Sequence, residues 1–382
     1  MLRVVTDDRP QDVLAALEDA EPVAVVDRAA VDAVTPVPLH ACEQHLPPGT
    51  WLVALTSGTT AAPRAVCRSR ASWEASVAHL AELTGTRAGQ RVLVPGPLSS
   101  TLFLYAAWHA RQVGAEPVLA DPTGSWAQIA WDVAHLVPHQ LARLVDDPDV
   151  ELDGRTVVVA GAALPTRLAE RARRRGLRVI AYYGAAELSF VAAGTPEALR
   201  AFPDAHVEVR DGEIWVRSPY LALDYLTPCS HASDASGSSS PSGSSGPSGP
   251  WRRDGGWSTV GDRGLIGADG SIVVHGRGDT AVQTGGATVH VADAEHVLRA
   301  HPEVGDVVVT GIPHRELGQV VAAVVESATA SVPELRRWAQ AMLPSHSRPR
   351  RWAVVDHLPR TESGKVDRAA VAPLLRRGGG HG

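Results

Sequence analysis

An α/β fold in two domains is predicted by three observations. The chain has 382 residues, more than one ordinary core accommodates. Segments of strand and helix character alternate through its first half, and a smaller run of alternating elements begins again at about Gly278. With 44% hydrophobic and 20% charged residues, the composition can bury a sizeable core.

The elements follow in order. "DVLAALEDA" has helical spacing, and "EPVAVVD" has the compact apolar character of a buried strand. The apolar run Leu52–Leu55 opens into the hydroxyl-rich "TSGTT". "ASWEASVAHLAELTG" reads as one helix ending at a glycine. "QRVLVPGP" is a strand with a Pro/Gly breaker, and "TLFLYAAWHARQVGAEPVLA" a helix followed by a strand. "RTVVVAGAAL", "PTRLAERARRRGL" and "RVIAYYG" repeat strand, helix and strand. Such alternation implies α/β units on a largely parallel sheet. "DGEIWVRSP" changes the pattern to a short β ribbon. The stretch 231–250 is almost wholly Ser, Gly and Pro, too polar to offset the entropy of ordering, and is expected to be an inserted mobile loop, with an interdomain linker as the alternative. A β pattern resumes with "GGWSTVGDRGLIGADGSIVVHGRGD". The last unit contains the strands "DVVVTGI" and "VVAAVVE" and the helix "VPELRRWAQAML".

Several classes are disfavoured. A net charge of −6 without a long basic block argues against general nucleic-acid binding. Cys42, Cys67 and Cys229 are too few and scattered for a disulfide framework or a zinc finger, so a reducing cytoplasm is the expected setting. "MLRVVTDDRP" lacks the apolar core of a signal peptide, and no apolar run approaches the roughly 20 residues of a membrane span.

Hydroxyls, backbone N–H groups and a cation gather in Thr56, Ser57, Gly58, Thr59, Thr60 and Arg64, a set suited to phosphate oxygens. The G-x-x-x-x-G-K spacing of a Walker loop is absent, and a surface turn is the alternative reading. Its company is more specific: "YYGAAE" (Tyr182 to Glu187), "STVGDRG" with Asp262, "HGRGD" with Arg277 and Asp279, and "LPRTESGKVDR" with Lys365. In that order and at those separations, the chain from Leu52 to Arg368 resembles the adenylate-forming superfamily of acyl-CoA synthetases, adenylation domains and luciferases.

The resemblance implies a large N-terminal domain of layered α/β sheets, 1–276, and a small mobile α+β C-terminal domain, 277–382. It implies that a carboxylic acid attacks the α-phosphorus of ATP, pyrophosphate leaves, and a thiol displaces AMP from the acyl-adenylate. Thr56, Ser57, Gly58, Thr59, Thr60 and Arg64 would hold the β- and γ-phosphates. Glu187 would be the Mg2+ carboxylate, a hard oxygen ligand for a hard cation. Gly161 matches the adenine-side loop, Tyr183 would lie against the adenine with Gly184 beside it, and Asp262 would accept both ribose hydroxyls. Arg277 would contact the nucleotide, Asp279 would be the hinge, and Gly285 and Gly286 would face the thiol channel. Lys365, in Pro-x-Thr-x-x-Gly-Lys-x-x-Arg, would stabilise charge in the transition state when its domain docks.

Departures from the family pattern are Arg64 for a lysine, Ala61 for a glycine, Ala186 for the hydroxyl residue before the glutamate, Gln283 for a lysine and Val291 for a proline. Ala186 removes a hydrogen-bond donor worth roughly 1–3 kcal/mol. "PGPLSSTLFLYAAW" falls where the family lines its acyl pocket, with Ser99 or Ser100 replacing a histidine. Phe103, Leu104 and Trp108 are either pocket lining or an ordinary core helix. His135 and His139, four apart near Asp132, are disfavoured as a metal pair because Pro138 interrupts the helical spacing.

Similarity is greatest to short acyl-CoA ligases such as o-succinylbenzoate-CoA ligase, which also have little sequence before the phosphate loop. The expected function is an AMP-forming acid–CoA ligase using ATP, Mg2+ and coenzyme A. The alternatives are an enzyme loading an acyl carrier protein, and a non-catalytic nucleotide-binding relative.

Overall fold

The apolar N-terminal segments pair edge to edge. In the computed structural model, which describes residues 2–28, 44–55, 64–226, 251–277, 281–284, 287–314, 318–361 and 364–377, a first sheet has the order Arg3–Thr6, Val23–Val26, Leu52–Leu55, Ala65–Arg68, Asp224–Tyr225. The first two pairings are parallel and the last two antiparallel. Val23–Val26 is buried at every position, as expected of an all-apolar strand covered on both faces. The two-residue strand Asp224–Tyr225 returns from far along the chain and sets Tyr225 opposite Val66.

The large sheet has thirteen strands among the described residues. Its parallel part runs Glu116–Leu119, Arg91–Val94, Val133–Leu136, Thr156–Val159, Arg178–Ala185. Helices Thr101–Gln112, Pro138–Asp146 and Thr166–Arg174 lie between these strands in the chain, as parallel pairing requires. From Arg178–Ala185 onward the sheet continues antiparallel through Ser189–Thr195, Ala198–Ala201, Ile272–Arg277 and Asp262–Ile266. The ribbon "DGEIWVRSP" joins it as Glu213–Arg217, paired with His206–Arg210.

One local expectation is corrected. "ASWEASVAHLAELTG" forms two helices, Arg70–Glu74 and Val77–Thr84. Ser76 separates them: its hydroxyl donates to the Trp73 carbonyl at 2.8 Å and meets the Tyr105 hydroxyl at 2.7 Å, a side-chain bond that competes with helix continuation. The second helix does end at its glycine, Gly85, with φ 74°. The strand expected at "RVIAYYG" forms as Arg178–Ala185 and runs on into "YYGAAE".

Phe103, Leu104 and Trp108 belong to the main core, at 1%, 0% and 1% exposure. Trp108 packs against Trp73 at 5.4 Å, Tyr105 at 5.6 Å and Trp51 at 5.7 Å between ring centroids. The core-helix alternative therefore holds for these three. Cys67 is buried on the strand Ala65–Arg68, and burial pushes its thiol up to about 12, which leaves it unreactive. Among the described residues no helix is long and apolar enough to cross a membrane. The stretch 231–250 lies outside the described residues.

Sheet membership changes between Arg277 and Ala281. Ala281–Thr284, Ala287–His290, Asp306–His314, Gly318–Glu326 and Arg351–Val355 form a separate five-stranded sheet with helices Val291–Arg299 and Val332–Met342. Val291, at the position where a proline is usual, opens its helix and is 2% exposed. A half-buried ionic network centred on the buried Glu295 holds the chain end to this unit. Arg368 donates to both Glu295 oxygens at 2.6 Å, Arg299 pairs with Asp306 at 3.0 Å, and Arg360 meets Glu326 at 3.2 Å.

If Trp108 is core, Trp108→Ala should cost about 3–5 kcal/mol, read as a shifted urea midpoint. A stable variant with altered acid preference would place it in a pocket instead. A second expectation concerns pH. His135 and His109 are buried, and burial first of all holds their rings down at about 3 and about 4. Unfolding lets each ring return toward about 6.5. The unfolded chain therefore binds more protons, and stability present above pH 6.5 is lost as pH falls below it. Urea unfolding at pH 7, 6 and 5 should show this decline, up to about 1.4 kcal/mol per pH unit for each ring, and His135→Leu should flatten it.

Candidate active site

The centre of the site is the hairpin turn between Arg178–Ala185 and Ser189–Thr195. Gly184 is required there by close approach: a Cβ on it would stand 2.0 Å from the Ser189 carbonyl oxygen. The tight turn drives Glu187 inward to 2% exposure, and its Oε1 accepts the Tyr225 hydroxyl at 2.7 Å. Arg64, at the start of Ala65–Arg68, stands over the Tyr225 ring at 6.0 Å. Behind the turn lies Arg68, 1% exposed. Its guanidinium donates to the carbonyls of Ala186 and Tyr220 and to Ser72 Oγ. Burial pulls Arg68 down to about 10, while the nearby Glu187 and Tyr105 oppose that fall, so the side chain remains a cation at neutral pH. Ala186 turns its methyl toward the cluster of Val66, Ala222 and Tyr225.

A second group stands beside the first. Asp262, 7% exposed, accepts the Tyr183 hydroxyl at 2.7 Å, which ties the ring proposed for adenine to the carboxylate proposed for ribose. Register sets Arg277 opposite Asp262. Gly161 follows Thr156–Val159, whose parallel neighbour carries Tyr183, with Val159 opposite Ala181. Gly161 and Tyr183 thus share the carboxyl edge of the sheet, where open α/β sheets bind ligands. From the C-terminal unit, Lys365 reaches this edge: a Cβ on Gly161 would lie 3.9 Å from Lys365 Cε.

The structure therefore brings Arg64, Glu187, Tyr183, Gly184 and Asp262 into two linked groups and sets Lys365 against Gly161. Thr56, Ser57, Gly58, Thr59, Thr60 and Ala61 lie outside the described residues, as do Asp279, Gly285 and Gly286. Gln283 is on the strand Ala281–Thr284. His135 and His139 fall on different elements, a strand and the following helix, and among the described residues no cluster of three or more His, Cys, Asp or Glu side chains could hold a metal alone. One buried carboxylate, Glu187, fits Mg2+, which usually takes one or two protein carboxylates together with phosphate oxygens.

Sequence reasoning did not single out Arg68 or Tyr225 as site residues. Arg68 sits in "AVCRS", where only its place in an otherwise apolar strand marks it. Tyr225 carries no local signal, because it arrives through a long-range pairing.

The family model described as "AMP-binding enzyme" matches residues 4–226, and that described as "AMP-binding enzyme C-terminal domain" matches 293–365. The uncharacterised acyl–CoA ligase YhfT of Bacillus subtilis is 28% identical over 359 residues, covering 86% of this chain and 69% of its own. The 2-succinylbenzoate–CoA ligase of Escherichia coli is 27% identical over 334 residues, covering 85% and 69%. The solved structure of E. coli MenE with a bound analogue of OSB-AMS superposes with a TM-score of 0.75 at 22% identity, over 98% of this chain and 88% of that one.

Removing Arg68 tests the arrangement. Arg68→Met leaves two buried carbonyls and a buried carboxylate uncompensated, and should cost about 3 kcal/mol or more. Arg64→Met, which loses a ring contact, should cost under about 1 kcal/mol. Equal shifts in urea midpoint would contradict the bridging role of Arg68.

Proposed function

Because the chain belongs to the AMP-binding enzyme family, we propose that it is an AMP-forming acid–CoA ligase that joins a carboxylic acid to coenzyme A at the expense of ATP. The observation that carries this reading is the meeting of Lys365 with Gly161 at the sheet edge that also bears Tyr183 and, through it, Asp262. The named relatives are CoA ligases, which favours coenzyme A over a carrier protein.

In this reading Asp262 accepts the ribose hydroxyls, oriented by the Tyr183 hydroxyl, and the Tyr183 ring lies against the adenine beside Gly184 and Gly161. Arg64, with Thr56, Ser57, Gly58, Thr59 and Thr60, holds the outer phosphates, and Arg277 contacts the nucleotide. Glu187 would hold Mg2+, aimed by Tyr225; the ion would neutralise phosphate charge as pyrophosphate departs. Lys365 binds the acid's carboxylate and the α-phosphate side as charge moves between them. The division into 1–276 and 277–382 then has a purpose: Asp279 lets the smaller unit turn, and Gly285 and Gly286 border the path of the attacking thiol.

The absent hydroxyl at Ala186 does not favour a non-catalytic relative. Its methyl is packed with Val66 and Tyr225 and its carbonyl is held by Arg68, so the position is built around alanine.

ATP–pyrophosphate exchange across a panel of aliphatic, aromatic and succinylbenzoyl acids, followed by addition of coenzyme A, tests the reading. An exchange-active acid whose adenylate yields a CoA thioester is the expected result. Lys365→Ala should lower exchange by about 10²–10³ with an unchanged melting temperature, and a loss of only a few-fold would remove Lys365 from its assigned role.

A further inference from the structure

We propose that His139 is a positioning residue for Lys365: its ring is the seat on which the Gly364 turn docks, and so sets where the lysine cation stands. The inference rests on the proposed role of Lys365 in adenylate formation.

Backbone hydrogen bonds tie the two ends of the turn together. Gly364 N donates to the Thr361 carbonyl at 2.8 Å, Thr361 N donates to the Lys365 carbonyl at 2.7 Å, and Arg360 bridges Val366. Arg360 in turn is anchored to Glu326 and Asp306 of the C-terminal sheet. Whatever fixes Gly364 therefore also fixes the backbone of Lys365.

Gly364 rests on the other domain. It is buried, with φ 79°, and a Cβ on it would stand 2.2 Å from His139 Cε1 and 2.7 Å from Val137 Cγ2. Only a residue without a side chain fits against that ring. The His139 Nδ1 is buried without a hydrogen-bond partner among the described residues, so what joins the ring to Gly364 is close packing. Val137 lies under Gly161 as well, 3.2 Å from where a Cβ would be. The junction Val137–His139 thus touches the adenine-side glycine and the lysine turn together.

Charge agrees with this geometry. Burial first, then Arg360 from the docking turn and Arg143 from its own helix, hold His139 down at about 4. At neutral pH the ring is uncharged and tolerates the cations beside it. A permanent cation at 139 would repel Arg360.

The test is a double-mutant cycle read by ATP–pyrophosphate exchange, with deuterium uptake as an activity-free readout. His139→Ala should lower kcat about tenfold to a hundredfold, because small misplacements of a catalytic group are costly. The same change in a Lys365→Ala background should matter less than about twofold, since a residue acting through the lysine has nothing left to place. His139→Gln, which keeps a planar uncharged group of similar reach, should recover part of the loss. Segments 134–142 and 358–366 should take up more deuterium in His139→Ala than in the wild type. Equal losses in both backgrounds would make His139 a structural residue only, and unchanged uptake would show that the seat is not formed in solution; either overturns the inference. Absence of exchange by the wild type with every acid would sink the ligase reading itself, and with it the role given to His139.

Discussion

The large domain is organised around a guanidinium that water does not reach. Arg68 leaves the first sheet, crosses to the second, and donates to the carbonyls of Ala186 and Tyr220. Taking a cation out of water costs several kcal/mol unless acceptors and an opposite charge replace the solvent. Here both do, the charge being that of Glu187. The strand Ala65–Arg68 therefore cannot shift against the Glu187 turn without stranding buried charge. Arg64 stands at the head of that strand, over the Tyr225 ring that meets Glu187, so the same bridge holds this cation near the proposed metal carboxylate.

Buried charge plays a comparable part in the small unit, with a different result. Glu295, 2% exposed, accepts from Arg368 with both carboxylate oxygens, while Arg299, Asp306 and Arg360 extend the network to Glu326. Removing Arg368 is expensive because Glu295 stays buried. The consequence is a stiff platform from which the Thr361–Lys365 turn projects. Stiffness matters for electrostatic catalysis, because a preorganised charge avoids reorganisation at the moment of reaction.

The departures at Ala186 and Arg64 look less like losses in this setting. Ala186 stands where a methyl packs beside Val66 and Tyr225, and a β-branched residue would crowd that cluster. Arg64 keeps a cation at the phosphate end and gains a face on the Tyr225 ring, a contact that suits a planar guanidinium better than an ammonium.

Alternation of apolar runs with amphipathic segments was enough to predict an α/β fold and its smaller C-terminal unit, because periodicity is a local property of the chain. The order of short motifs singled out Glu187, Tyr183, Asp262 and Lys365 through their resemblance to the adenylate-forming superfamily, and the fold sets Tyr183 on Asp262 and Lys365 against Gly161. Other features had no local signal. "ASWEASVAHLAELTG" has the spacing of one helix, and only the Tyr105 hydroxyl, supplied from another helix, shows why Ser76 divides it. Phe103, Leu104 and Trp108 read equally as pocket or core until Trp51 and Trp73 pack against them. Tyr225 meets Glu187 through a strand pairing across most of the large domain, Arg68 finds its acceptors on two distant segments, and His139 meets Gly364 from the other unit. These are decisions of tertiary structure, because burial and hydrogen-bond partnership depend on what the rest of the chain brings to a residue.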